Sequence, residues 1–144
     1  MWNAYNRVHT PSLCRDSTNS WNYTTLTWRS ANNNTANRVT FIRGLNEDAI
    51  NVVATNAAGN ANAVTVYCGI GIDSTSAFSG VTGSNYTNTL SIYSAATAHY
   101  SGLPGLGSHY AQRLEASTAT GTTTWYGDDG GSFVQSGMTL TQMM

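Results

Sequence analysis

The sequence predicts an all-β fold, an antiparallel β-sandwich of the jelly-roll kind. Three observations carry that expectation. Apolar residues recur at every second position in short runs, whereas spacing of three and four is nearly absent. The runs are rich in Val, Ile, Thr, Trp and Tyr, residues that suit a pleated, half-buried surface. Clusters of Gly, Asn and Ser separate them at regular intervals, and such residues close hairpins because they tolerate left-handed backbone angles. Short strands at this spacing pack as a sandwich or barrel.

The elements follow in chain order. The opening "MWNAYNRVHTPS" carries Trp2 and Tyr5, core-type residues where a loose terminus is usual, so it reads as the middle of something larger. "SWNYTTLTWR" (Ser20–Arg29), "NRVTFIR" (Asn37–Arg43) and "AINVVAT" (Ala49–Thr55) are strands, the last two joined by the turn-like "GLNED". The clearest strand is "NAVTVYCGIGI": Val64, Val66, Cys68, Ile70 and Ile72 share one face, with Thr65, Tyr67, Gly69 and Gly71 opposite. Glycines on that second face imply that a backbone or a large aromatic ring packs closely there. "NTLSIYS" (Asn88–Ser94), "HYAQRLEAS" (His109–Ser117), "TTTWYG" (Thr122–Gly127) and "MTLTQ" (Met138–Gln142) complete the series. "HYAQRLEAS" also suits a helix; its neighbours favour strand. Turns are expected at "SANNNTAN", "NAAGNAN", "SGVTGSN", "SGLPGLGS" and "GDDGGS". Without a linker or fixed-period repeat, residues 1–144 read as one domain.

Charge is scarce. Charged residues make up 9% of the 144, against roughly 25% in ordinary soluble domains. Lysine is absent, and Arg7, Arg15, Arg29, Arg38, Arg43 and Arg113 are the whole basic set. A net charge of -1 excludes the basic footprint of a nucleic-acid binder. No run approaches the roughly 20 apolar residues of a membrane span, and the start lacks the pattern of a signal peptide. A neutral, hydroxyl-rich coat suits a protein displayed on a robust assembly, or one that meets neutral polar ligands such as glycans.

Candidate chemistry is thin. The acids are Asp16, Glu47, Asp48, Asp73, Glu115, Asp128 and Asp129. A glycosidase needs two of them across one cleft. Asp48 shares a turn with Glu47, and Asp73 ends a strand where it can accept hydrogen bonds from the following amides. Asp128 and Asp129 in "GDDGGS" lack the alternating ligands of a calcium loop and read as turn-formers. His9, His99 and His109 are widely spaced; His99 and His109 approach each other if the loop "SGLPGLG" joins paired strands, but no third zinc ligand is visible. No nucleophile motif stands out, and neither a cofactor nor a metal is expected. Cys14 and Cys68 have no metal spacing; Cys68 reads as a buried free thiol, with a Cys14–Cys68 disulfide as the alternative. The sequons at Asn22, Asn33 and Asn85 are expected by chance in so Asn- and Thr-rich a chain.

Aromatic rings are the remaining candidates. Trp2, Trp21, Trp28 and Trp125 stand beside eight tyrosines, more than a minimal core requires. Such rings either fill the space between sheets or subunits, or stack on sugars. Trp125, Tyr126 and Trp28 are the residues expected to meet a ligand or another subunit.

Taken in order, "WNAYNRV", "DSTNSWNYTTLTWRSANNNTANRVTFIRGL", "YCGIGIDSTSA", "YSGLPGLGSHYAQRLE" and "TGTTTWYGDDGG" resemble the C-terminal region of tailed-phage and prophage structural proteins of the virion or tail-fibre-like kind. The resemblance runs from Trp2 to about Gly131. It implies a β-rich domain displayed on a virion made in the bacterial cytoplasm, and homotrimers are common among fibre heads. It brings no catalytic residues. In such proteins β-rich sequence is expected ahead of the first segment, so a cut within a longer chain, or completion by strands of another polypeptide, is expected here. The expected function is a non-enzymatic virion protein, a fibre-tip or surface-displayed β domain. Its expected partners are itself, other virion proteins and a host-surface glycan. The alternatives are a capsid decoration protein and a carbohydrate-binding module or glycan depolymerase.

Overall fold

Alternation in the sequence becomes alternation between a core and a surface. The computed structural model describes residues 7–131 and 133–144; Trp2 and Tyr5 lie outside them. Eleven strands form among these residues: β1 (His9–Arg15), β2 (Ser20–Asn22), β3 (Arg29–Ser30), β4 (Arg38–Arg43), β5 (Ile50–Gly59), β6 (Val64–Ile72), β7 (Gly83–Thr87), β8 (Ser94–Gly102), β9 (Gly107–Ser117), β10 (Thr124–Tyr126) and β11 (Gly137–Met143). The fold is all-β, and its two sheets are antiparallel throughout. In the first sheet β11 lies between β1 and β5, and β8 takes the other side of β5. In the second β9 lies between β4 and β6, and β7 takes the other side of β6. The short strands extend one end of the sandwich: β10 pairs with the end of β5 and with β2, and β3 pairs with the end of β9.

β6 follows its pattern closely. Val64, Val66, Cys68 and Ile70 are buried on the inner face. The glycines on the outer face have the close neighbours expected of them: a Cβ on Gly69 would lie 3.0 Å from the Trp28 ring, and one on Gly71 would strike the carbonyl oxygens of Ser74 and Ala77. Cys68 is a buried free thiol and Cys14 is also free, so no disulfide joins them.

Several expected boundaries move. Asn88–Ser94 is not a strand; residues 88–93 form the turn into β8, where the Thr87 and Thr89 hydroxyls bond neighbouring backbone within two residues. The strands around that turn come from segments with weak strand propensity. β8 buries only Ala96, Ala98 and Ser94 on its inner side, and small residues carry little β signal. β7 starts inside the supposed turn cluster "SGVTGSN" and runs two residues past it, and Gly83 allows its backbone to press onto that of Thr97. "NAAG" continues β5 instead of turning. "SWNYTTLTWR" splits into β2 and β3 around a bend, and β1 arises from "HTPSLCR", which has too few apolar residues to announce itself.

The space between the sheets is divided. A large apolar cluster holds Val39, Phe41, Ile50, Val52, Ala54, Cys68, Ile70, Ala111, Met138 and Leu140, and a smaller one holds Ala58, Val64, Val66 and Trp125. On β5 the buried Asn56 separates them, between Ala54 and Ala58; on β9 the buried Arg113 and Glu115 stand opposite Ile70 and Cys68 at the edge of the larger cluster.

Candidate functional site

The best-defined surface site gathers around the "TWYGDDGG" segment. β10 turns Trp125 inward and Tyr126 outward. Trp125 is 0% exposed, and its Nε1 donates to the Tyr23 carbonyl at 2.8 Å, so within this chain the ring packs the smaller cluster and offers no surface to a ligand. Tyr126 is half-buried and meets Tyr93 edge to face, with centroids 4.7 Å apart. The Tyr93 hydroxyl donates to Asp129 Oδ2 at 2.6 Å. That bond raises the Tyr93 phenol pKa, and burial followed by the Asp129 charge raises that of Tyr126. Beside Tyr93 a groove of about 270 Å³ has Thr55, Ala57 and Ala95 as its floor and Phe133, Val134 and Gln135 as its far wall. The Phe133 ring stands wholly in solvent.

Local sequence explains how the loop holds this shape. Asp128 Oδ1 accepts the Gly130 amide at 3.1 Å, and Asp129, Gly130 and Gly131 all take positive φ, which Asp and Gly tolerate. The two acids are turn-formers, as their setting implied. Ser136 then ties the loop's return: its Oγ donates to the Tyr126 carbonyl at 2.5 Å and accepts the Ala57 amide at 3.0 Å. The loop also rests on the segment after β1, where the Gly127 and Asp128 amides donate to the Thr18 carbonyl at 3.1 and 3.2 Å and Gln135 Nε2 donates to the Asp16 carbonyl at 3.0 Å.

Trp28 sits elsewhere, half-buried on the outer face of the second sheet. It packs on Gly69 with Phe78 and Tyr67 at centroid distances of 5.5 and 6.3 Å. A shallow apolar pocket there is lined by Leu26, Trp28, Tyr67 and Ala116 and contains no charged group. The three expected contact residues therefore fall in three different environments.

The remaining acids are dispersed among structural partners. Glu115 is buried, its carboxylate accepting Trp21 Nε1 at 2.8 Å, Arg29 Nε at 2.8 Å and the Asn32 amide at 3.2 Å; desolvation nevertheless raises its pKa. Asp16 accepts Arg113 at 2.8 Å and Asn37 at 2.6 Å. Asp73 does not serve the amides that follow it. Its φ of 53° turns it across to β9, where it accepts the Tyr110 amide at 2.9 Å and pairs with His109 Nδ1 at 2.6 Å. Glu47 and Asp48 both pair with Arg7. His99 and His109 do not approach by strand pairing, because the loop between them crosses from one sheet to the other. No group of three metal-ligating side chains occurs among the described residues. No helix among them is long and apolar enough to cross a membrane.

Sequence reasoning missed Tyr93 as the residue that meets both Tyr126 and Asp129, and Phe133 as its neighbour in the groove. Tyr93 was hidden in the supposed strand Asn88–Ser94. The only available signal was an aromatic pair followed directly by two acids and two glycines. No family model matches the chain, and no curated protein does.

Proposed function

We propose that the chain is a non-enzymatic virion structural domain that assembles with copies of itself, as a trimer, and carries the aromatic corner outward toward a host surface. The observation that carries this reading is the outer face of the first sheet on the Val53 side of Thr55, away from the Tyr93 groove. Among outward positions of β1, β5, β8 and β11, Arg15 is the one Arg, Lys, Asp or Glu; the rest are mostly Thr, Ser, Asn, Ala, Pro and apolar residues. Leu13, Val53 and nearby Val81 stand exposed on it, and grooves of about 210 and 550 Å³ flank Val53. A broad neutral face with exposed apolar side chains is inexpensive to desolvate, whereas unpaired charges would oppose burial.

A jelly-roll reading of the topology supports the same conclusion. Leaving aside the short β2, β3 and β10, the first strand pairs with the last (β1 with β11), the second with the next to last (β4 with β9), then β5 with β8 and β6 with β7. Alternate pairs fall in opposite sheets, the nesting produced when one long antiparallel hairpin wraps on itself. The motif resemblance supplies the virion setting. The dispersal of the acids favours a binding or structural role over a depolymerase.

Sedimentation velocity tests the assembly. The expected result is one discrete oligomer with the mass of a trimer, converted to folded monomer by Val53→Arg, which places a charge in the centre of the face. A monodisperse folded monomer of the unsubstituted chain at every concentration overturns the reading and favours a free carbohydrate-binding module. A decoration protein differs from a fibre tip only in where labelled antibody binds the particle.

A further inference from the structure

We infer that the groove between Tyr93 and Phe133 is a binding site for one neutral pyranose ring of a glycan. The inference rests on the proposed outward display of this corner and adds the ligand class and the residues. Three features converge. The walls are aromatic: Tyr93 is propped by Tyr126 at 4.7 Å, and Phe133 faces solvent across a floor of Ala57 and Ala95. Alanines leave room for a ring to lie on the sheet, and a sugar's C–H face packs on aromatic carbon as other apolar groups do. Polar groups stand at the ends. Asp129, outside the lining itself, accepts the Tyr93 hydroxyl through Oδ2; Thr55 and Gln135 line the groove, and with Gln135 Nε2 donating to the Asp16 and Ser136 carbonyls its Oε1 is the acceptor left for a sugar hydroxyl. A carboxylate accepts hydrogen bonds from sugar hydroxyls strongly because the acceptor is charged.

The charge of the corner sets the class. Asp128 and Asp129 are adjacent acids, and none of the groove's lining residues is a cation. Uronic and sialic acids would meet like charge, so neutral hexoses and N-acetylhexosamines are favoured. The Trp28 pocket serves as an internal control: it has as many rings but no charged or amide group in its lining.

The test is a ¹H–¹⁵N NMR titration of the full chain with maltotriose, N,N′,N″-triacetylchitotriose and trigalacturonate, followed by a wider panel of neutral glycans. Saturable shifts are expected at the amides of Ala57, Ala95 and Gln135 with a neutral probe and not with trigalacturonate. Phe133→Ala and Tyr93→Ala are each expected to weaken binding by about tenfold or more, as for aromatic anchors. Phe133 is fully exposed, so its replacement leaves folding intact even if Tyr93→Ala perturbs the corner. Asp129→Asn is expected to weaken neutral sugars without admitting the uronate strongly, and Trp28→Ala is expected to leave binding unchanged. Absence of groove shifts across the neutral panel overturns the inference, as do shifts confined to the Trp28 pocket or retention of affinity in Phe133→Ala. Sedimentation of the same samples reports on assembly separately, so failure of the groove is distinguishable from failure of the virion-domain reading.

Discussion

The two halves of the space between the sheets are built by opposite means. Toward the β8–β9 loop the layer is apolar, with Ile50, Val52, Ile70 and Leu140 almost completely buried. One step farther along β9 the inward residues become Arg113 and Glu115, as fully buried as the aliphatic residues, and each is held by ion pairs and hydrogen bonds. Burial of apolar area gives the first half its stability with little directional preference. The ionic belt contributes less net stability, because desolvation opposes the attraction within each pair. What it adds is position. Arg113 holds Asp16, the Asp16–Thr18 segment accepts the amides of Gly127 and Asp128, and that loop presents Asp129 to Tyr93. The apolar half stabilises the sandwich, while the belt fixes the corner that carries the candidate site.

The largest expected contrast is chemical. Cys68 belongs to the large apolar cluster, although it stands opposite Glu115, and burial pushes its thiol pKa up to about 12. Its reactive thiolate is thereby depleted by about a thousandfold at neutral pH, and no reagent reaches it. Cys14 is only half-buried on an edge strand. Titration with a thiol reagent should count one sulfhydryl in the native protein and two in urea. Two reactive thiols without denaturant would show that the apolar half opens.

Next in size is the loss of one charge from the belt. Arg113→Met leaves Asp16 buried without its cation and should cost about 3–5 kcal/mol in urea unfolding. Adding Asp16→Asn should recover much of that loss, since the surviving amide needs no counter-charge. If the double variant is no more stable than the single, the pair matters through packing and not through charge. Ile70 stands opposite Arg113 in the strand register, so Ile70→Val probes the same level of the sandwich by removing a methylene. It should cost about 0.5–1.5 kcal/mol. A larger loss there than in Arg113→Met would invert the comparison between the halves.

These contrasts also explain what the sequence could reveal. β6 was legible because its apolar residues alternate strictly and are mostly β-branched, and its glycines announced a close backbone or ring, which the Ser74–Ala77 backbone and Trp28 supply. β9 was ambiguous because its polarity is inverted: Arg113 and Glu115 face the core while Leu114 and Ala116 are buried on the opposite side. A pattern rule sends charges outward, and nothing local to "AQRLEA" announces that Asp16 and Arg29, distant in sequence, will neutralise them. β8 was invisible because its inward residues are alanines. The candidate site was half legible. "WYGDDGG" located Tyr126 and the turn, but Tyr93 arrives from 36 residues before Asp129 through a register that only the folded sheet defines.

The smallest expected effect is a pH dependence that separates belt carboxylates from surface ones. Desolvation raises the pKa of Glu115 above the usual carboxylate value despite Trp21 and Arg29. A carboxylate with a raised folded-state pKa binds its proton more tightly in the folded chain than in the unfolded one. Its contribution is therefore greatest below the unfolded pKa and is lost as pH rises through the folded pKa. Asp73 has the opposite sign: the hydrogen bonds from His109 and Tyr110 outweigh its desolvation and lower its pKa below 3.8, so it stabilises above that value and loses the effect in stronger acid. As pH falls through the folded pKa of Glu115 toward its unfolded value, the melting temperature of the unsubstituted chain should rise relative to that of Glu115→Gln. Below pH 4 Asp73→Asn should become the informative comparison, the unsubstituted chain losing its advantage as Asp73 protonates. A flat difference between the unsubstituted chain and Glu115→Gln from neutrality down through the ordinary carboxylate range would mean that Arg29 and Trp21 fully offset the burial of Glu115. The belt would then be electrostatically balanced, and its distinction from the apolar half would lie in geometry alone.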